Sequence, residues 1–377
     1  MDQLDRISSI NQVADDLKGR QEDDDDRYKV KNMEHMKIPL EDIISATSNF
    51  HDDFIIGRGG FGNVYKAHLF HFDLRKYSTE NRIYRQLTVE LSTYPRRRST
   101  VAIKRLDRRY GQGTSEFLQE ISILPYFRHQ NLVTLVGFCD ELHERILVYE
   151  YASNGGLDRY IGSARSLTWA QRLQICLDAA RGLDFLHNGV GDHHRIIHRD
   201  IKSSNILISR NWTGMISDFG LSRISPANLQ ATFVMTQVAG TLEYIDPQYH
   251  KTGILTKESD AYSFGVVLFE VLSGRLARFG IDKVNPEFVP HMAKRCFKQK
   301  KVHEIIDPTL KKEFKINESC VFDDDESNPE SINIYAAIAY QCLQHKPEDR
   351  PTMANIVRQL EKALKSHSVI FSKSKDK

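Results

Sequence analysis

The sequence predicts an α+β chain in two parts: a small sheet-based part with one key helix, then a larger, mainly helical part. Three observations predict it. Strand-like residues crowd into the first 150 positions, at Phe54–Ile56, around Val64, Tyr65 and Ala67, and in Val101–Lys104. One helical period interrupts them at 114–127, where Phe117, Ile121, Leu124 and Phe127 recur. Beyond Asn154–Gly156, apolar residues fall at three- and four-residue spacing in 168–187, 258–273, 331–344 and 352–365.

Taken in order, residues 1–36 are polar and carry the acidic run Glu22–Asp26, which reads as a disordered tail. Order is expected from Ile38, where Ile38, Leu40, Ile43, Ile44 and Phe50 begin a helix-like stretch. The sheet-based part is expected over 37–151. It contains a basic insertion, 68–100, with Arg75, Lys76, Arg82, Arg85 and Arg96–Arg98, which has no clear period and reads as a long loop, with Ser99 after three arginines a candidate regulatory phosphosite. Leu132–Phe138 and Arg145–Tyr151 are two further strand candidates. The helical part is expected over 152–367, with a surface loop at the second acidic run, Asp323–Glu326, and a tail at 368–377.

Composition narrows the class. The chain has 377 residues, 40% hydrophobic and 27% charged, which fits an ordinary globular protein and excludes a fibrous or wholly disordered one. Its 52 Lys and Arg against 50 Asp and Glu give a net charge of +2, no basis for expecting nucleic acid as a partner. No run of about 18 apolar residues suggests a membrane span. The five cysteines, Cys139, Cys176, Cys296, Cys320 and Cys342, are widely spaced and read as reduced thiols. A cytoplasmic location is the expectation.

Several residues carry chemistry. Gly57, Gly59 and Gly62, followed by Val64, form G-x-G-x-x-G, a pattern whose backbone can approach phosphate oxygens. By itself it is weak, because dinucleotide-binding folds share it, but those need a helix after the glycines and here strand-like residues lie on both sides. Lys104 offers a point charge for phosphates. Glu120 on the predicted helix is its natural carboxylate partner, with Glu116 one turn earlier. In IIHRDIKSSNILI, Asp200 can orient a hydroxyl or take its proton, Lys202 can screen a transferring phosphoryl group, and Asn205 can bind Mg²⁺ through its amide oxygen. His198 reads as a packing and hydrogen-bonding residue; His193 and His194 read as loop residues. Asp218, in Asp218-Phe219-Gly220, supplies a second hard oxygen ligand. Five such pieces in this order, over about 160 residues, do not arise by chance.

On these residues the sequence resembles the eukaryotic protein kinases, and more finely the plant receptor-like and Pelle-type kinases. The segments SATSNF, EFLQEISIL, HQNLVTLVGFC, LVYEY, HRDIKSSNILI, GTLEYIDPQY, SDAYSFGVVLFEVLSG and PEDRPTM carry the finer match. The resemblance implies a two-lobed kinase fold with ATP and Mg²⁺, or Mn²⁺, between the lobes. The implied reaction is transfer of the γ-phosphoryl group to Ser or Thr hydroxyls of protein substrates, with dual specificity open. It implies signalling downstream of or beside a membrane receptor or receptor-like kinase partner. A pseudokinase scaffold and a binding module are the alternatives.

The resemblance also assigns roles. Tyr149 is the implied gatekeeper, and Glu150–Ala152 the hinge that binds adenine. Val64, Ala102 and Leu207 sandwich the base, with Ile56 opening the Gly-rich stretch. Leu124, Leu135, His198 and Phe219 stack, with Asp260 at the base of the stack. Lys202 and Thr241 are typical of Ser/Thr kinases. Arg199 belongs to a pocket for a phosphate on Thr236, with Thr232 the second choice. Three departures stand out: Glu243 replaces a usual Gly, the 68–100 insertion replaces a turn, and Gln248 replaces the Glu that would pair with Arg350. The last leaves Arg350 expected to lack full compensation.

Overall fold

The computed structural model describes residues 36–59, 62–72, 96–107, 112–163, 165–188, 194–226, 233–279, 287–316 and 329–375. They group into two compact units. One extends to Tyr126 and takes in Thr134–Glu150; the other holds Phe127–Val133 and everything from Tyr151 onward. A division by sequence position at 151 therefore misplaces residues 127–133. They join the second unit because Val133 donates its amide to Ile216 (2.9 Å) and Asn131 donates its side-chain amide to Gly214 (3.0 Å).

The first unit begins with a short helix, α1 (Leu40–Ala46). Thr47 ends it: its hydroxyl donates to Ile43 (2.7 Å) and accepts the amide of Phe50 (3.1 Å). Five strands follow: β1 (Ile55–Gly59), β2 (Gly62–Phe72), β3 (Arg96–Leu106), β4 (Leu135–Glu141) and β5 (Glu144–Glu150), with α2 (Gln112–Ile123) between β3 and β4. They form one antiparallel sheet in the order β1-β2-β3-β5-β4. Alternation sets its faces. Along β2, Tyr65, Ala67 and Leu69 are buried while Lys66, His68 and Phe70 are exposed. The buried face packs with Ile38, Leu40, Ile43, Val101, Ile103, Val136, Ile146 and Val148 into one core.

The basic stretch 68–100 is not a loop throughout. Residues 68–72 and 96–100 extend β2 and β3 as a paired ribbon, with Phe72 opposite Arg96 and Leu69 opposite Ser99. The run of arginines hid the alternation, in which Leu69 and His71 turn inward, with their partners Ser99 and Arg97 half-buried on the same face. Ser99, the candidate phosphosite, pairs its hydroxyl with His71 Nε2 (2.6 Å). Residues 73–95 lie outside the described residues, as do Glu22–Asp26, Asp323–Glu326 and His193. The other predicted strands shift: β4 starts at Leu135, and Leu132 instead forms a bridge with Ile216.

The second unit opens with a two-residue strand, β6 (Gly155–Gly156), followed by α3 (Trp169–Asn188). Short strands come next: β7 (His194–Ile197), β8 (Ile206–Ile208), β9 (Gly214–Ile216), β10 (Arg223–Pro226) and β11 (Val234–Met235). His194 is thus in a strand, opposite Pro226, and not in a loop. Then come α4 (Pro247–Thr252), β12 (Ile254–Leu255) and α5 (Lys257–Ser273), in which every residue from Ser259 to Ser273 is buried. A helix buried on all sides belongs at the centre of a core. The ribbon β13 (Arg278–Phe279) and β14 (Glu287–Phe288) precedes the helices α6 (Val289–Lys298), α7 (Val302–Ile305), α8 (Pro308–Phe314), α9 (Glu330–Cys342) and α10 (Met353–Lys375). The expected tail at 368–377 is helical as far as Lys375, because α10 continues through it. Among the described residues no helix is long and apolar enough to cross a membrane.

Arg350 is fully compensated, contrary to the expectation from Gln248. Its guanidinium meets the Asp246 carboxylate in two parallel bonds of 2.7 Å and also donates to the carbonyls of Gln344, Glu258 and His345. Asp246 caps α4 at the same time, accepting from Gln248 N (2.9 Å) and Ser259 Oγ (3.0 Å). The Gln248 side chain turns to His345 instead. Asp246→Asn should therefore lower stability by about 3–5 kcal/mol, the cost of stranding a buried charge. Gln248→Glu should leave it within about 0.5 kcal/mol. Denaturant melts of both variants check the pair.

Candidate active site

In the first unit Gly57 and Gly59 lie on β1 and Gly62 opens β2, its antiparallel partner. Gly57 lies opposite Val64, and Gly59 opposite Gly62. Gly62 has φ +124, and a Cβ there would lie 2.1 Å from the Arg105 carbonyl oxygen, so only glycine fits. The hairpin, with no helix following the glycines, removes the dinucleotide-fold reading.

Lys104 lies on β3, opposite Val64 on one side and Leu147 on the other. Its ammonium meets Glu120 Oε1 of α2 at 2.9 Å, and both groups are largely buried. Tyr149 holds the other oxygen, donating its hydroxyl to Glu120 Oε2 at 2.6 Å. The phenol thus fixes the carboxylate that fixes the ammonium. Ala102 lies opposite Tyr149, and Glu150 at the end of β5 pairs with Arg97. Leu124 and Leu135 are both buried in this unit. Ile56, Val64, Ala102 and Lys104 share one sheet; Ala152 and Leu207 belong to the second unit, where Leu207 sits on β8 opposite Gly156.

In the second unit the segment after β7 is gathered around Asp200. Its Oδ1 accepts from the backbone amide (2.9 Å) and hydroxyl (2.7 Å) of Thr241. Its Oδ2 meets the Lys202 ammonium at 2.8 Å and the Asn205 amide nitrogen at 3.1 Å. Lys202 also donates to Thr241 Oγ1 (2.8 Å), closing a ring of three side chains. Asn205 Nδ2 donates to the Asp200 carbonyl as well (2.9 Å), so its Oδ1 is the atom left to act as a ligand. Asp218, at φ +68, follows Ser217, whose amide and hydroxyl both donate to the Asn205 carbonyl at 2.9 Å. That link ties the two candidate oxygen ligands, Asn205 and Asp218, to one another.

This segment rests on Asp260 of the central helix α5. The buried carboxylate accepts the amides of His198 and Arg199, each at 2.8 Å, and contacts His187 Nε2 at 2.9 Å. Arg199 stands at φ +75, an uncommon angle for a non-glycine residue, which the Asp260 bond holds in place. The His198 ring packs edge-on to Phe219 at 4.9 Å and pairs with the Ser217 carbonyl at 3.0 Å, a packing and hydrogen-bonding role. The Arg199 side chain reaches Tyr249 (2.9 Å), Thr236 Oγ1 (3.2 Å) and the Gln237 carbonyl. Thr232 lies outside the described residues.

Residues 51–360 match the protein tyrosine and serine/threonine kinase family. The chain belongs to that family. Its kinase relatives include the receptor-like protein kinase HERK 1 of Arabidopsis thaliana, 39% identical over 340 residues, covering 89% of this chain and 36% of that protein. The receptor-like protein kinase ANXUR2 of the same plant is 38% identical over 330 residues, with 87% and 34% covered. The chain spans about a third of the length of these curated relatives.

Sequence reasoning missed three parts of this kinase site. His187 was silent because a buried His–Asp contact across 73 residues leaves no local pattern. Asp246 did carry a signal, an Asp before a Pro that opens a helix. Glu270 was masked by its apolar neighbours on α5. It is fully buried and accepts from Tyr244 Oη (2.6 Å) and the Ala277 amide (2.7 Å). Burial raises its carboxyl from an ordinary 4.5 to about 7, against the pull of those bonds. Between these two values rising pH takes the proton from the unfolded chain first, so stability is lost as pH rises toward 7. Glu270→Gln should remove that loss, gaining about 3 kcal/mol relative to the parent between pH 4.5 and pH 8. Melts of the two proteins at both pH values measure it.

Proposed function

We propose that this chain is an ATP-dependent protein kinase that phosphorylates Ser and Thr hydroxyls. The observation that carries the reading is the closed ring of Asp200, Lys202 and Thr241, with Asn205 on the same carboxylate. A carboxylate held by two cationic or amide donors on one side and a hydroxyl on the other is fixed in orientation. It can then direct an acceptor hydroxyl and receive its proton as the bond to phosphorus forms.

The donor set suits Mg²⁺. Asn205 and Asp218 offer hard oxygens, and among the described residues no cluster of three or more His, Cys, Asp or Glu could hold a metal by itself. Two protein ligands are what a cation needs when nucleotide oxygens complete its shell. ATP with Mg²⁺, or Mn²⁺, supplies the phosphoryl group and neutralises the charge between its oxygens. The chain's own part is positioning. Lys104, steadied by Glu120 and Tyr149, orients the α- and β-phosphates. Gly57, Gly59 and Gly62 allow backbone amides close to them, while Ile56, Val64, Ala102 and Leu207 offer apolar contact to the base and Glu150–Ala152 offer backbone groups to its edge. Lys202 screens charge on the transferring group. Lys104, Asp200 and Asp218 are all retained, which supports catalysis over a pseudokinase scaffold.

Arg199 adds regulation. Its guanidinium already touches Thr236 Oγ1, so a phosphate placed there gains a charge-assisted partner and fixes segment 233–241 beside Asp200. The receptor-like relatives support a role in signalling beside a membrane receptor, from the cytoplasmic side.

Incubation of the purified chain with Mg-ATP, followed by mass spectrometry, tests the reading. Phosphate should appear on Ser or Thr, Thr236 or Thr232 among them. Asp200→Asn should reduce transfer by at least about a thousandfold with nucleotide affinity nearly unchanged, since Asp200 serves the acceptor. Asp218→Asn should weaken Mg-ATP binding as well. Equal turnover by the Asp200 variant and the parent sinks the assignment. The double variant Thr236→Ala, Thr232→Ala should lose activity several-fold; full activity shows that this segment is not the switch.

A further inference from the structure

Ser99 follows three arginines, and its hydroxyl lies among groups that the proposed reaction does not use. On β3, Arg97, Ser99 and Val101 share one face, because alternate residues of a strand point the same way. Leu69 and His71 of β2 lie opposite Ser99 and Arg97, on that same face. His71 is buried, and its Nε2 meets Ser99 Oγ at 2.6 Å. Arg97 pairs with Glu150 of β5, and Glu150 lies opposite Val101. Ser99 stands between Arg97 and Val101 along the strand, so the arginine side chain runs past Ser99 to reach its partner. The hydroxyl is thus flanked by an imidazole and a guanidinium, both of which can donate to phosphate oxygens.

The backbone around Ser99 also suits recognition by an enzyme. β5 pairs with β3 only from Val101 to Arg105, so among the described strands β2 alone holds residues 96–100. This stretch is extended, and Arg96 and Arg98 are exposed on its other face, three residues and one residue before Ser99. An extended segment with cations just before a hydroxyl complements an acidic substrate groove. Ser99 itself is half-buried, and local opening of a ribbon end held on one side frees it.

We propose that Ser99 is a phosphorylation site for a separate, Arg-directed protein kinase, and that phosphate there draws Arg97 from Glu150 and weakens nucleotide binding. The nucleotide half rests on the kinase reading above, in which Glu150 belongs to the backbone that faces adenine. In the step, Ser99 Oγ bonds to the γ-phosphorus of a nucleoside triphosphate. The bond from that phosphorus to its bridging oxygen breaks, a nucleoside diphosphate leaves, and the hydroxyl proton passes to the modifying enzyme's base. The product brings close to two negative charges and three acceptor oxygens to a face where Arg97 serves a single carboxylate. The phosphate lies nearer along the strand than Glu150 does, so the guanidinium turns to it, and His71 donates to a second oxygen. Glu150 then loses its partner at the end of β5.

The test incubates the full-length Asp200→Asn chain, chosen to silence its own transfer, with a purified Arg-directed kinase and Mg-ATP, and maps phosphate by mass spectrometry. Ser99 should carry it, and the double variant Arg96→Ala, Arg98→Ala should lower the rate of labelling about tenfold, the scale of one charge-assisted hydrogen bond. A folded chain that stays unlabelled at Ser99, while a synthetic peptide of residues 92–102 is labelled, overturns the site. Calorimetry then compares Mg-ATP binding by the labelled and unlabelled chains. Labelling should weaken binding at least about fivefold, the lower end of coupling between two sites. Glu150→Ala should show a similar loss without phosphate, and Ser99→Ala given the same treatment should show none. Equal affinity of the labelled and unlabelled chains, or full affinity in Glu150→Ala, overturns the link to the nucleotide. An unlabelled chain that binds no Mg-ATP overturns the kinase reading and that link with it, while the labelling result still decides the site.

Discussion

The Asp260 carboxylate is the fixed point on which the second unit's chemistry depends. It sits inside the most buried helix and accepts two consecutive backbone amides from the segment that precedes Asp200. A buried carboxylate is costly unless its oxygens are filled, and here amides and His187 fill them. That arrangement ties an irregular, short-stranded segment to the rigid centre of the unit. It also holds Arg199 at a backbone angle the residue would not choose. One strained residue therefore has two consequences: the Arg199 side chain is sent toward Thr236, and the next residue, Asp200, is presented to Thr241.

In each unit a charged group that would act on phosphate is steadied by a hydroxyl. Tyr149 holds the carboxylate that holds Lys104, and Thr241 bonds both Asp200 and Lys202. Hydroxyls can do this because they donate and accept at once, whereas a second charge would either neutralise or repel the first. The sites are thus prepared in advance, with each ionic side chain limited to one orientation before any ligand arrives.

Much of this was legible in the residues. Short-range patterns read well as structure: the glycines fall on the paired strands β1 and β2, VAIK lies on β3, and the periodicities separated strands from helices. Contacts made across long sequence separations did not. Arg350 looked deprived because position 248 was read as its only source of a carboxylate, while Asp246, two residues earlier, supplies it with two bonds. The arginines at 96–98 looked like a loop because no clear period was seen across 68–100, yet alternation decides a ribbon, and Leu69 and His71 provide it. Residues 127–133 follow the sheet-based unit in sequence but are claimed by hydrogen bonds to β9. Around Asp200, Lys202 and Asn205 are neighbours along the chain, whereas Thr241 reaches it from 41 positions away.

The Asp246–Arg350 pair also has a consequence for biosynthesis. The two partners are separated by 104 positions, so the carboxylate that starts α4 emerges long before the guanidinium that neutralises it. At about 5–20 residues per second, translation leaves an interval of roughly 5–20 s between them. During that interval α4 and Tyr249, which Arg199 contacts, lack their anchor. The first unit, whose sheet contacts lie almost wholly within the first 150 residues, has no such wait. A growing chain therefore completes the Lys104–Glu120–Tyr149 group well before α4 is anchored, and a ribosome that stalls before position 350 displays the former without the latter.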